Sequence, residues 1–309
     1  MLKKTSRIFV LLVIVLTLIF FLLRSPSIPV SELKSLYADE ESEYMEIEGI
    51  DVHYKIEGSG PPLVLIHGTG ASLHTWDGWV SQLKESYTLY RLDLPAFGLT
   101  GPAADRDYSL ENYVEFIQAF TTSVGLDSFA LAGNSLGGNI AWSYTLTNPD
   151  RVSQLVLIDA SGYPLEEPTK ALAIQIAKHP ILSPLLLHIT PRSFVRKNLE
   201  QVYGDPSKIK EAVIDRYHKM TLRTGNRHAF VDRANTTFTD ASHLIPTISC
   251  PTLILWGSED TWVPPKLGHR FDTEIRNSTL ILYPGVGHIP MEEIPNKTAT
   301  DVAKWLAAQ

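Results

Sequence analysis

Short apolar runs recur along the chain from residue 44 onward, and most of them are continuous rather than alternating with polar residues. Eight runs have the length of a strand, and several are rich in Leu, Ile and Val: YMEIEGI, VHYKIEG, LVLIH, TLYRLDL, FALAG, LVLID, TLILW and TLILY. Continuous apolar runs are typical of parallel strands that are buried on both faces. The pattern therefore predicts a mainly parallel sheet with a core on each side.

Two longer segments between these runs carry the signals of helices. SLENYVEFIQAFTTSVG has Ser109 as an N-cap and Gly125 as its stop, and NKTATDVAKWLAA follows Pro295. Alternating strands and helices predict an α/β fold with a doubly wound, mostly parallel eight-stranded sheet flanked by helices. We expect an antiparallel hairpin from Tyr44 to Gly58 to open the sheet, and ligands to bind beyond the carboxyl ends of the strands.

The N-terminal segment departs from this pattern, because Ile8 to Leu23 is an uncharged apolar run preceded by Lys3, Lys4 and Arg7. As a transmembrane helix it would be roughly 24 Å long, slightly short for a span. Residues 1–24 are either an uncleaved membrane anchor or a cleaved signal peptide. We favour the anchor, because the following RSPSIPVSEL offers no clear small-residue cleavage pattern. The basic flank would place the rest of the chain on the exported side of the membrane, or in the secreted fraction after cleavage.

Composition limits the class of protein and of partner. The 309 residues are 44% hydrophobic and 20% charged, with a net charge of −7, which fits one large domain with an insertion. No Lys/Arg-rich stripe appears beyond the first few residues, which argues against a nucleic-acid partner. The single cysteine, Cys250, excludes an internal disulfide and has no Cys or His neighbour at metal-ligand spacing. The oligomeric state stays open.

The first candidate for chemistry is GNSLGG, which follows the strand-like FALA and precedes the helix-like NIAWSYTLT. A serine bracketed by Gly133 and Gly137 can lie on a strand-to-helix turn so tight that only glycines clear the neighbouring backbone. The following helix directs its N-terminus at the same place, which favours a developing negative charge. Ser135 is therefore a candidate nucleophile, although G-x-S-x-G alone is also a common structural turn.

A second glycine-rich loop follows the strand-like LVLIH as His67-Gly68-Thr69-Gly70. Such a loop can direct backbone N–H groups into a site. We predict that the N–H groups of Thr69 and Leu136 form an oxyanion hole. We expect His67 to brace this loop rather than to transfer protons.

Candidate acid and base residues follow two later strands. LILWGSEDTWVP leaves Asp260 at a strand end, and LYPGVGHIP leaves His288 in a loop of glycines and proline. The chain order Ser135, Asp260, His288 matches nucleophile, acid, base. Three other acidic residues compete with Asp260: Glu259 beside it, Asp159 after LVLID, and Asp93 after LYRLD. Asp93 is better explained as a carboxylate that accepts N–H bonds within a turn.

The segments HGTG, DLPAFGLT, GNSLGG, GSEDTWVP and GVGHIPMEEIP together resemble motifs of the α/β-hydrolase superfamily, over roughly residues 46–306. DLPAFGLT departs from that family's D-x-P-G-x-G-x-S loop at Ala96 and Thr100, which we expect to change only local turn geometry. The resemblance implies that Ser135 is the nucleophile and His288 the base. It implies that Asp260 orients the histidine, while some members of the family place the acid at the position of Asp159.

The resemblance also implies a domain organisation. Relatives insert a helical cap over the site where this chain has the helical runs PTKALAIQIAKHPILSPLLLHIT and SKIKEAVIDRYHKM. We expect a membrane anchor or signal segment at 1–24, a polar linker at 25–43, a hydrolase core at 44–160 and 245–309, and a cap at 161–244. The leucines of the cap either line an apolar pocket or form a small core of their own.

The function implied by the resemblance is hydrolysis of a carboxylic ester through an acyl-enzyme, with no cofactor and no metal. An apolar cap on a membrane-tethered domain suggests lipid-like or medium-chain esters, as in the family's monoacylglycerol lipases. A carbon–carbon bond hydrolase of ring-cleavage products is an alternative that would use the same three residues. A cofactor-free haloperoxidase or perhydrolase and a non-catalytic binding protein also stay open. A serine at position 135 argues against haloalkane dehalogenases and epoxide hydrolases, which place an aspartate there.

Overall fold

The computed structural model describes residues 8, 10, 11, 14, 15, 18, 20–167, 170–237 and 239–309. The predicted membrane segment therefore lies partly outside the described residues, and its described positions from Ile8 to Leu23 are helical. Within the described ranges, no helix combines the length and the apolar character that crossing a membrane requires.

All eight predicted strands are present and form one sheet. The strands are β1 Ser42–Ile47, β2 Ile50–Gly58, β3 Pro62–Ile66, β4 Thr88–Leu92, β5 Phe129–Asn134, β6 Val152–Ile158, β7 Thr252–Gly257 and β8 Ser278–Tyr283. Their order across the sheet is β1-β2-β4-β3-β5-β6-β7-β8. β2 pairs antiparallel with β1 and β4, and every other pair is parallel. The opening hairpin and the mostly parallel sheet are therefore confirmed.

Helices cover the sheet, and their ends follow the signals in the sequence. Ser109 caps its helix by accepting the N–H of Asn112 at 3.3 Å, and Gly125 after that helix has a φ of 72°. The helices are α1 Val30–Tyr37, α2 Asp77–Leu83, α3 Leu110–Ser123, α4 Leu136–Thr147, α5 Leu172–Lys178, α6 Ser183–Leu186, α7 Arg192–Val202, α8 Glu211–Leu222, α9 Asn226–Asn235, α10 Lys266–Glu274, α11 Pro290–Glu293 and α12 Pro295–Leu306.

The core lies on both faces of the central strands. β5 and β7 are buried along their whole length, which explains why their sequences are continuous apolar runs. On one face α3 and α4 contribute Phe120 and Trp142. On the other face Trp76 and Trp79 pack with α12, and the indole N–H of Trp79 donates to Thr298 Oγ1 at 2.8 Å. The sheet is thereby covered by helices on both faces.

Residues 25–43, expected to be a polar linker, carry more structure than their composition indicates. α1 buries Leu33 completely. The N–H of Ile28 donates to Leu222 O at 2.8 Å, and the N–H of Thr224 donates back to Ile28 O at 2.9 Å. These contacts join the segment to α8 and the loop after it. Val30, Leu33 and Tyr37 recur at helical spacing, which is a weak signal for an amphipathic helix, but no pattern in the sequence indicates where that helix docks.

Helices α5 to α9 lie between β6 and β7, where the sequence predicts a helical insertion. Within it α7 packs against α8, and α5 packs against α9. We call the helices α5 to α9 the cap. The cap covers the edge where β3, β5, β7 and β8 end.

Candidate active site

Ser135 lies on a sharp turn between β5 and α4. Its backbone has φ 54° and ψ −114°, a region in which a residue other than glycine is strained by about 1–3 kcal/mol. The Ser135 N–H donates to Ile158 O at 3.0 Å, and Ser135 O accepts the N–H of Ser161 at 3.1 Å. These bonds hold the strained residue at the carboxyl edge of the sheet.

The glycines of GNSLGG are required by close approach of backbone to backbone. A Cβ on Gly133 would lie 2.1 Å from Gly137 O, and a Cβ on Gly137 would lie 2.2 Å from Ile66 O. No side chain fits at such distances. The predicted reason for these glycines is confirmed.

Asp260 and His288 form a hydrogen-bonded pair in the loops that follow β7 and β8. His288 Nδ1 donates to Asp260 Oδ2 at 2.7 Å. The other oxygen, Oδ1, accepts the N–H groups of Trp262 and Val263 at 2.8 and 3.0 Å. With the proton on Nδ1, the neutral imidazole keeps its lone pair on Nε2, which is the tautomer a general base needs. The two side chains are 3% and 0% exposed, so little water competes for this bond.

Two of the competing acids have other partners. Glu259 is exposed and accepts a hydrogen bond from Ser258 Oγ at 3.0 Å. Asp93 accepts the N–H groups of Leu73 and Leu99 at 2.7 and 2.8 Å and bonds His53 Nδ1 at 2.7 Å. Asp93 therefore braces two loops, as its sequence context predicts.

The hydrogen-bonded His53 keeps the buried Asp93 ionised. Burial raises the pKa of this carboxyl, but His53, whose Nδ1 lies 2.7 Å from Asp93 Oδ2, opposes the rise most strongly, and the pKa lies well below its ordinary value. A charged Asp93 accepts the N–H bonds of both loops more strongly than a neutral one would.

The third competing acid, Asp159, follows β6 and lies beside the pair. One side-chain oxygen of Asp159, one of Asp260 and one ring nitrogen of His288 all lie within 4.8 Å of one another. A ring nitrogen that donates a hydrogen bond has no lone pair for a metal ion. We therefore interpret this group as a hydrogen-bonded cluster.

A cavity of about 130 Å³ lies between the cap and the sheet edge. Ser135, His288 and Thr69 line it from the core side. The cap contributes mostly apolar side chains, among them Ile174, Leu186, Phe194, Leu199 and Phe230. Part of the leucine-rich ILSPLLLHI thus lines the pocket, while Ile181 and Leu185 of the same stretch are exposed.

Of the two residues predicted to form the oxyanion hole, Thr69 lines this cavity, and Leu136 directly follows Ser135, which also lines it. Leu136 is the first residue of α4, so its N–H belongs to the first turn of a helix, where no intrahelical acceptor exists. His67 is completely buried; its Nε2 accepts the N–H of Leu94 at 3.0 Å and its Nδ1 bonds Gly68 O at 2.8 Å. Because both ring nitrogens are engaged and burial lowers its pKa, His67 supports the loop that carries Thr69.

Three side chains around the site had no functional interpretation in the sequence. The Asn134 amide donates to Ile158 O at 3.1 Å and to His288 O at 3.0 Å, which ties the serine turn to the histidine loop. Trp262 packs beside His288, with ring centroids 5.6 Å apart. Glu293 accepts the N–H groups of Gly287 and Gly204 at 2.8 and 2.9 Å. All three lie within the sequence motifs described above, GNSLGG, GSEDTWVP and GVGHIPMEEIP. Their position in these motifs is the one feature of the sequence that indicates a role at the site.

The chain matches the family described as alpha/beta hydrolase fold over residues 61–295. That range covers most of the chain and contains Ser135, Asp260 and His288. The chain therefore belongs to the alpha/beta hydrolases, and the fold expected from the resemblance is confirmed.

The similar proteins are hydrolases, but their names do not agree on one reaction. The chain is 27% identical to the uncharacterized hydrolase YugF of Bacillus subtilis (strain 168), over 84% of this chain and 96% of that protein. It is 25% identical to 2-hydroxy-6-oxo-6-(2'-aminophenyl)hexa-2,4-dienoic acid hydrolase of Metapseudomonas resinovorans, over 86% and 92%. Among solved structures, a candidate lipase of Acinetobacter baumannii AYE has a TM-score of 0.76 at 26% identity, covering 92% of this chain and 97% of that one. A bacterial membrane phospholipase A has a TM-score of 0.77 at 24% identity, covering 100% and 99%, which supports the fold alone.

Proposed function

We propose that this protein is a serine hydrolase that cleaves neutral carboxylic esters with an apolar acyl chain. The observation that carries the proposal is the Asp260–His288 hydrogen bond of 2.7 Å at the same apolar cavity that Ser135 lines. A serine hydroxyl is a weak nucleophile until a base takes its proton, and this arrangement supplies the base in the required tautomer.

The proposed reaction has two halves. His288 Nε2 takes the proton of Ser135 Oγ as that oxygen attacks the ester carbonyl, and the N–H groups of Thr69 and Leu136 bind the developing oxyanion. The intermediate then expels the alcohol, which receives the proton from His288, and an acyl-Ser135 ester remains. Water, deprotonated by His288, attacks this ester and releases the acid.

The cavity favours a neutral substrate. Arg227 is the one Lys or Arg side chain among the described residues that line it. Its guanidinium is directed toward residues 25–27, because two of its five N–H groups donate to Ser25 O and Ser27 Oγ, both at 2.8 Å. A substrate carboxylate elsewhere along the apolar lining would lose its hydration without meeting a cation, which is unfavourable. The dienoic acid named for one relative carries such a carboxylate.

Carbon–carbon bond hydrolysis is the second candidate. The 25% identity to the dienoic acid hydrolase over most of both chains supports it, and the same three residues would serve. Its substrate carboxylate would need to reach the N–H groups of Arg227 that are not bonded to Ser25 and Ser27. The ester proposal needs no such contact.

A chain-length series of p-nitrophenyl esters tests the proposal. The cavity of about 130 Å³ is close to a cavity of roughly 150 Å³ that holds benzene, so kcat/KM should peak at acyl chains of about four to eight carbons. Ser135→Ala should lose at least about 10⁴-fold in kcat, whereas the exposed Ser81→Ala should match wild type. Equal rates in Ser135→Ala and wild type would refute the nucleophile. A higher kcat/KM on a dienoate than on any ester would favour the second candidate.

We also propose that residues 1–24 anchor the protein in a membrane, with the hydrolase domain on the exported side. The described apolar side chains before residue 24 are largely exposed, with Leu22 at 83%. The segment ends on the cap, where the N–H of Ser25 donates to His188 O at 2.8 Å. Ile181, 75% exposed, precedes α6 in the same part of the cap. Exposed apolar groups of this kind favour a lipid surface.

Membrane fractionation of a bacterial cell that expresses the full chain tests the anchor. We expect the protein to stay with the membrane in alkaline carbonate, and externally added protease to digest the hydrolase domain in spheroplasts. Recovery of a soluble chain whose N-terminus lies beyond Leu23 would instead identify a cleaved signal peptide.

A further inference from the structure

The cluster of Asp159, Asp260 and His288 holds more carboxyl groups than the proposed reaction uses. Asp159 is completely buried, and the side chain of Asp260 is completely buried as well. Their cluster atoms lie within 4.8 Å of one another. Two ionised carboxylates in so small a buried site repel strongly, because burial keeps bulk solvent from screening them. One of the two therefore holds a proton over part of the pH range.

The donors around each carboxyl group indicate which one is neutral. Asp260 accepts three N–H bonds, from His288 Nδ1 and from the backbone of Trp262 and Val263. Asp159 accepts one, from the N–H of Gly257 to Oδ1 at 2.9 Å. Its Oδ2 is buried with no partner in the described chain. Donors stabilise the charged form of a carboxyl group, so Asp260 is the ionised member.

We propose that Asp159 is a neutral carboxylic acid in the resting protein and that its Oδ2–H donates a hydrogen bond to Asp260. Asp159 is then a positioning residue: it holds Asp260, which in turn orients His288. The neutral state of Asp159 does not depend on which reaction the protein catalyses, whereas its positioning role rests on the function proposed above. A proton on Oδ2 also gives this buried oxygen the partner that it otherwise lacks.

The electrostatic surroundings support a neutral Asp159. Burial and the negative charge of Asp260 raise its pKa well above the ordinary value, and Glu293 of α11 adds to the rise. The N–H of Gly257 opposes the rise. The titratable groups that face Asp159 are Asp260, His288 and Glu293, with Tyr283 at the end of β8.

The backbone at Asp159 suggests matched test variants. Asp159 has a φ of 44°, which Asp, Asn and Gly tolerate better than other residues. Asn keeps a donor toward Asp260 and an acceptor toward Gly257 but cannot ionise. Gly keeps the backbone conformation and removes the side chain. Comparing the two separates hydrogen bonding from backbone strain.

Infrared difference spectroscopy of the full chain tests the protonation state without any substrate. At pH 7 wild type should show the C=O stretch of a protonated carboxyl group, and Asp159→Asn should lack it. The exposed Asp150→Asn is the control and should retain the band. A wild-type spectrum without that band would overturn the proposal and leave the proposed function untouched.

The pH profile of kcat/KM on an ester tests the positioning role. If Asp159 is neutral, Asp159→Asn leaves the charge near His288 unchanged, and the pKa of the acid limb should stay within about 0.3 of wild type. An ionised Asp159 about 5 Å from the ring would instead make this pKa fall by one unit or more on substitution.

The comparison of Asn with Gly completes the test. Asp159→Asn should retain a kcat at least about tenfold above that of Asp159→Gly, with similar KM values, since only Asn holds Asp260. Equal losses in the two variants, with both folded by circular dichroism, would overturn the positioning role. If Ser135→Ala proved fully active while the infrared band persisted, the proposed function would fail and the neutral Asp159 would stand.

Discussion

Asn134 offers the sharpest test of how the serine turn and the histidine loop are held together. Its amide donates to two buried carbonyls, Ile158 O at 3.1 Å and His288 O at 3.0 Å. Asn134→Ala removes two hydrogen bonds of about 1 kcal/mol each. Ile158 O keeps the N–H of Ser135, but His288 O loses its donor, and a buried carbonyl without a partner adds about 1–2 kcal/mol to the loss. We therefore expect the free energy of unfolding to fall by about 2–4 kcal/mol. For a chain of this size, the melting temperature should fall by roughly 3–6 °C.

The assay pairs thermal unfolding with ester turnover. Release of His288 O should let the imidazole move relative to Ser135, and a displacement of about 1 Å can lower kcat by about 10²-fold. Asn139→Ala is the matched control: Asn139 is also buried beside the serine turn, and its Oδ1 has no partner within the described residues. If Asn134→Ala were as stable and as active as Asn139→Ala, the Asn134 hydrogen bonds between the two loops would contribute nothing to stability or to activity. Our explanation of how the site is held together would then be refuted.

Three further predictions follow from the same contacts. Asp260→Asn should lower kcat by about 10⁴-fold, because an amide no longer fixes the proton on Nδ1 of the base, while Glu259→Gln should keep wild-type rates on the same ester. Gly137→Ala should destabilise the protein by about 3 kcal/mol in denaturant, because its Cβ would meet Ile66 O at 2.2 Å. Gly70→Ala meets no atom and carries only the strain of a φ of 75°, so a loss in Gly137→Ala no larger than in Gly70→Ala would contradict this. Asp93→Asn should lower the free energy of unfolding by about 3 kcal/mol at pH 7. The pKa of Asp93 is lowered in the folded protein, so its ionised form stabilises the fold above its ordinary pKa of 3.8, and this stabilisation is lost as the pH falls. The difference in unfolding free energy between wild type and the variant should therefore shrink below about pH 4, and a difference that stays constant with pH would contradict this prediction.

The strands and the serine turn could be predicted because their signals are local. Each of the eight strand-length apolar runs after residue 43 became a strand, as expected of short runs rich in Leu, Ile and Val between turns. Gly133 and Gly137 flank Ser135 in the sequence, so the steric reason for the turn is contained in six residues. Ser135, Asp260 and His288 each follow a different strand-like run in the sequence. Their placement at the ends of three strands could therefore also be predicted from local sequence.

Other features depend on residues far apart in the chain. Glu259 and Asp260 are adjacent and chemically alike, and only the tertiary structure turns one toward His288 and leaves the other exposed. Asn134 reaches across 154 positions to His288 O, and no local pattern records such a bond.

The sequence by itself determined the layered α/β core, the tight turn at Ser135 and the set of candidate acids and bases, because periodicity, glycine placement and strand ends are local properties of a chain. The tertiary structure decided which acid meets His288, how Arg227 is bound by Ser25 and Ser27, and that Asp159 lies against Asp260. These depend on which strand ends and loops are brought together when apolar surfaces pack, and distance in space then sets the charge and hydrogen bonding of each group.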